Sequence, residues 1–114
     1  MKVRRTFALD HAAHALTVTD DLEGNGKHAV EIPLHLAVGV TAELAAGSAM
    51  LVAGGRRFEL TWSSTHDWNV AIEDVRVSPT YGVVVPTKRL VWRRSGTLVS
   101  LAVHVAPTGW VSRA

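Results

Sequence analysis

Cysteine is absent from the 114 residues. That absence excludes a disulfide framework, a thiolate metal site and a cysteine nucleophile. Long apolar runs are absent too: none reaches the roughly 18 residues that a membrane-spanning helix needs. The opening Met1–Phe7 carries Lys2, Arg4 and Arg5 but no apolar stretch long enough for a signal peptide. Charge of one sign is scarce. Twelve basic residues against ten acidic ones leave a formal net charge of +2, and the basic residues are scattered. This pattern speaks against a nucleic-acid partner. No serine sits in a G-x-S-x-G elbow, and Gly54-Gly55 lacks the Lys-Ser/Thr and the helix of a phosphate-binding loop.

What is present is an alternation of period two. Val3, Arg5, Phe7 and Leu9 share one face, and Leu16 and Val18 alternate with Thr17 and Thr19. Residues 20–27, acidic and glycine-bearing, read as a hairpin loop. His28, Val30, Ile32, Leu34 and Leu36 then line one face of a long strand. Pro33 on its other face suggests an edge strand or a bulge. Short strands follow near 41–44, 50–53 and 57–62. The pattern resumes at Trp68, Val70 and Ile72 and slips phase at Asp74-Val75, which predicts a bulge or a corner. Ser78–Gly82 reads as a turn. Two long strands, about 83–92 and 98–105, close the chain through a tight turn at Arg93–Gly96. Only 38–49 could be argued as helical, from its alanines, and Gly39, Val40, Thr41 and Gly47 oppose that. The expectation is an all-β fold, a two-sheet antiparallel β-sandwich of nine to ten strands, as a single domain over 1–114.

Six histidines invite a metal reading. A zinc site needs three or four converging ligands. His11 and His14 lie in a turn, His28 and His35 differ in parity, and His66 and His104 stand apart. Asp20, Asp21 and Glu23 lack the 1-3-5 ligand spacing of a calcium loop. The expectation is no metal, no cofactor and no catalytic residue. Trp62, Trp68 and Trp92 read as core filling, against the alternative of sugar-stacking rings. Trp110 reads as tail that folds back or joins an interface. The doublets Arg4-Arg5, Arg56-Arg57, Lys88-Arg89 and Arg93-Arg94 each place one cation per sheet face. Arg5, set between Val3 and Phe7, should cap the sheet end or pair with a buried carboxylate.

Three ordered stretches carry a family resemblance: Arg4–Phe7 leading into Leu16–His28, the strand end Pro33–Leu36, and Ser78–Gly82 before the closing strands. In these the chain resembles the C-terminal β-sandwich segment of the heparinase II/III-like polysaccharide lyases. The resemblance implies a larger parent, periplasmic or secreted at the cell envelope, in which a helical toroid joins β-sheet domains. It also implies cleavage of uronic-acid polysaccharides by β-elimination. The family's catalytic residues and zinc ligands lie upstream of the matched segment, so none transfers to a position here; Tyr81 belongs to the turn. Met1 leads at once into a strand-like pattern, as expected of a piece cut from a larger protein and equally of a small cytoplasmic one. The expected role is a non-catalytic accessory domain, with the toroid as partner and an acidic polysaccharide as candidate ligand. The alternatives are a free-standing carbohydrate-binding or adhesion module and a small histidine-metal β-barrel enzyme. A domain parted from its neighbour should show an exposed apolar surface.

Overall fold

The computed structural model describes residues 2–110, with Pro79 and Trp110 described by backbone alone. Among the described residues nine strands form two antiparallel sheets. They are β1 (Lys2–Asp10), β2 (Ala15–Glu23), β3 (Lys27–His35), β4 (Thr41–Ala45), β5 (Ser48–Ala53), β6 (Arg56–Ser63), β7 (Asn69–Thr80), β8 (Val83–Thr97) and β9 (Leu101–Trp110). The large sheet has the order β1-β2-β9-β6-β5-β4, and the small one β3-β8-β7.

Alternation decides which side chains meet. Val18, Leu22, Ala49, Leu51, Leu60, Leu101 and Val103 of the large sheet are buried, as are Ile32, Leu90 and Trp92 of the small one. Most of these form one core cluster between the sheets. Trp92 lies at its centre, fully buried, with the Trp62 ring packed edge-to-face against it at 5.7 Å and 79°. The core-filling reading thus holds for Trp92 and for the packed ring of Trp62.

The small sheet has a solvated outer face with order of its own. Val91, fully buried, sits there between Pro33 and Ala71 on the flanking strands. Arg89, Arg93, Glu31 and Glu73 close over it in four ion pairs of 2.7–3.5 Å. Arg93 and Arg89 hold the Glu73 carboxyl down to about 2, and the same contacts push the Arg93 guanidinium up. As parity requires, their doublet partners Lys88 and Arg94 point the other way: Lys88 pairs with Asp74, and Arg94 lies over the Trp68 ring.

Several sequence expectations are corrected. Residues 20–27 do not form a hairpin loop. Asp20–Glu23 continue β2, and Gly24, Asn25 and Gly26 carry the chain to the other sheet. Arg93–Gly96 is not a turn but the end of the fifteen-residue β8, held by pairing with β3; residues 98–100 make the crossing to β9. Pairing between β7 and β8 runs unbroken through Asp74-Val75, and the shift comes between Val77 and Thr80. The turn in 78–82 shrinks to Tyr81-Gly82, where Gly82 takes a φ of +79° that other residues rarely adopt. Residues 38–49 contain β4 and the start of β5, so β-branching and glycine outweigh alanine there.

Candidate functional site

The two sheets are unequal, and the inequality leaves a margin uncovered. Val3, Arg5, Phe7 and Leu9 of β1 stand opposite Leu22, Asp20, Val18 and Leu16 of β2. Directly paired residues share a face. These four therefore belong to the face that carries the core, yet the three-stranded sheet leaves Val3, Phe7 and Leu9 largely open. Val3, Phe7 and Leu9 are 55%, 63% and 58% exposed. The radius of gyration, 15.5 Å, exceeds the about 13 Å expected of a compact domain this size.

Arg5 terminates the core at this margin. Its Nε donates to one oxygen of Asp20 at 2.7 Å and its Nη2 to the other at 3.0 Å. Asp20 is 4% exposed, so the ion pair answers its burial, and the carboxylate raises the Arg5 pKa. The same Nη2 reaches the Pro33 carbonyl on β3 at 3.5 Å. β3 is an edge strand, so Pro33, which has no N–H to donate, costs no ladder bond on that side. Both sequence readings, a buried partner for Arg5 and an edge position for Pro33, meet in one contact. Between β1 and β3 runs a groove of about 490 Å³, with Val3, Arg5, Leu22, Val30 and Ile32 in its walls.

A second concavity lies at one end of the sandwich. The segment from Ser64 to Trp68 carries the chain from β6 to β7. With the β4–β5 turn at Gly47 it bounds a cleft of about 350 Å³, lined by Trp62, Ser63, Ser64, His66, Asp67 and Trp68. Sequence reading singled out the two tryptophans and His66 separately; Asp67 it passed over, because an acidic loop residue carries no pattern of its own.

The histidines stay dispersed. His104 pairs with Thr17 through Nδ1 at 2.9 Å, His28 with the Asn25 carbonyl at 2.9 Å, and His66 with Thr65 at 3.0 Å. His11 and His14 sit in the exposed β1–β2 turn, and His35 ends β3. Among the described residues no three of His, Asp and Glu come close enough to share a metal ion. Asp20 is taken up by Arg5, and Asp21 accepts from Ser100 at 2.9 Å. Trp110 ends β9 opposite Arg56; its side chain and Val111 lie outside the described residues.

No curated protein and no solved structure matches the chain. A family model does match the chain, over residues 1–108. The chain belongs to the heparinase II/III-like, C-terminal family.

Proposed function

We propose that the chain is a non-catalytic accessory domain of a heparinase II/III-like polysaccharide lyase. In that parent a catalytic toroid would break uronic-acid polysaccharides by β-elimination, with this sandwich buttressing it beside the substrate cleft. The observation that carries the reading is the margin of β1. Val3, Phe7 and Leu9 stand on the core side of the large sheet, and among the described residues no layer covers them. An apolar stripe of this kind is what a neighbouring domain covers.

The family match supports the parent. Elimination needs a base to take the proton α to a uronate carboxyl and an acid to protonate the leaving oxygen. Tyr81 is fully exposed at the β7–β8 tip.

The test is the coding sequence upstream of Met1. Several hundred mostly helical residues in frame are expected there. That segment, produced separately, should associate with residues 1–114, and Phe7→Glu should abolish the association. An upstream frame without such a segment, or association indifferent to Phe7→Glu, would overturn the proposal.

A further inference from the structure

We propose that β1 is a self-complementary edge along which two copies of this chain join, each large sheet continuing into the other. The junction uses the in-plane edge of β1, whereas the accessory-domain reading uses the apolar face above it. An edge strand carries unpaired N–H and C=O groups, and proteins guard such edges with proline, bulges or short strands. Among the described residues four strands lie at sheet edges: β1, β3, β4 and β7. β3 holds Pro33, β4 is five residues long, and β7 shifts register between Val77 and Thr80. β1 has none of these guards. Its nine residues include no proline or glycine, pair with β2 in unbroken register and are all exposed.

The residues of β1 fit their own antiparallel copy. Centred on Thr6, the pairing sets Lys2 opposite the copy's Asp10, Val3 opposite Leu9, Arg4 opposite Ala8, Arg5 opposite Phe7 and Thr6 opposite itself. Every unlike pair occurs twice, as a two-fold axis requires. Opposite charges meet at the ends, apolar side chains meet on the core face, and no like charges are opposed, which are the pairings that stabilise sheets. Lys2 has no ion-pair partner among the described residues. Asp10 accepts from the Ala13 N–H through Oδ1 at 3.1 Å, which leaves Oδ2 for Lys2 of the copy.

Other registers lose this match. A slip of one residue sets the apolar stripe of one copy beside the polar face of the other. Centring on Arg5 opposes two guanidinium groups, and centring on Phe7 leaves Lys2 and Val3 beyond the pairing. Pairing about Thr6 keeps the core faces together, so both three-stranded sheets stand on one side of the joined sheet. Room for them exists because each copy leaves Val3, Phe7 and Leu9 more than half exposed.

The experiment exploits the absence of cysteine. Sedimentation of the purified chain should show reversible dimers, half-formed at about 10–100 μM, since one strand edge falls below the roughly 1,200 Å² of a standard interface. With oxidised glutathione, Thr6→Cys should form a covalent dimer, because directly opposed Cα atoms lie about 4.5–5.5 Å apart, within disulfide reach. Ala8→Cys should not, since that position and its copy are offset by four residues, about 13 Å. Mixing Ala8→Cys with Arg4→Cys should restore cross-linking. Lys2→Glu should weaken dimerisation about fivefold or more, and adding Asp10→Lys should recover it. All these positions are exposed, and melting temperatures check that each variant is folded. A chain still monomeric at about 1 mM overturns the proposal. So does Ala8→Cys cross-linking as fast as Thr6→Cys, or dimerisation indifferent to Lys2→Glu. None of these outcomes bears on the accessory-domain reading, which rests on Phe7 and the upstream frame.

Discussion

Arg5 and Asp20 face each other across β1 and β2 and share two hydrogen bonds, at 2.7 and 3.0 Å. The pair marks where the core stops. On one side Leu22 and Ile32 are buried; on the other Val3 and Phe7 meet solvent. Arg5→Ala would leave the Asp20 carboxylate buried without its cation. The expected loss is about 2 kcal/mol, below the roughly 3–5 kcal/mol of a fully enclosed pair, because the Arg5 side chain is itself 36% accessible. Replacing both, with Arg5→Met and Asp20→Leu, should recover most of it. Urea unfolding of the three variants measures this; a single variant as stable as the parent would refute it.

Glu73 gives the acid limb of stability a local cause. Two arginines lower its folded pKa to about 2 from an ordinary 4.5. A carboxyl with a depressed folded pKa favours folding in its ionised form, so its contribution is complete above about pH 4.5 and fades as pH falls towards 2. Denaturation midpoints taken from about pH 5 to pH 2 should therefore decline, and Glu73→Gln should flatten that decline. Added salt should flatten it as well, since the quartet is solvent-accessible. Identical slopes for the parent and the glutamine variant would count against the assignment.

Leu60 and Phe7 lie on the same face of the large sheet and should respond in opposite ways. Leu60 is fully buried, and Leu60→Ala should cost about 2–5 kcal/mol through lost burial and a residual cavity. Phe7 is 63% exposed; Phe7→Ser should change stability by no more than about 0.5 kcal/mol. The same Phe7 change should reduce binding of a hydrophobic dye. A large loss at Phe7 would mean that the margin is covered in solution.

The isolated chain should release no unsaturated uronate from heparin, heparan sulfate or alginate, followed by ultraviolet absorbance of the product. Elimination needs a base and an acid on either side of one sugar, and Tyr81 stands fully exposed at the β7–β8 tip. Product formation that persists through repurification would contradict this.

Zinc should not be retained. His28 and His35 stand at opposite parity on β3, and His104 is engaged by Thr17. Metal analysis after dialysis should find well under one equivalent, and a chelator should leave the melting temperature unmoved. One tightly held equivalent would show that the histidines converge after all.

Sequence alone determined the fold class, the faces and the family resemblance. Alternation is local: Leu101–Val105 and His28–Leu36 assign their own faces whatever they pair with. The edge position, which Pro33 suggested beside a bulge, and the buried carboxylate, which Arg5 suggested beside a sheet-end cap, were legible for the same reason, since a missing N–H and a cation among apolar neighbours each state a need. Which partner meets the need is not local. Asp20 looked like loop chemistry because glycines follow it closely, and only the pairing of β1 with β2 put it under Arg5. The charged quartet was likewise hidden, for Glu31, Glu73, Arg89 and Arg93 come from three strands and meet only through register. The cleft needed the crossing from β6 to β7 to bring Trp62 and Trp68 into its lining. Strand crossings between sheets are set by what each sheet can bury, a property of the whole chain, so a stretch such as 20–27 could not announce whether it turned back or crossed.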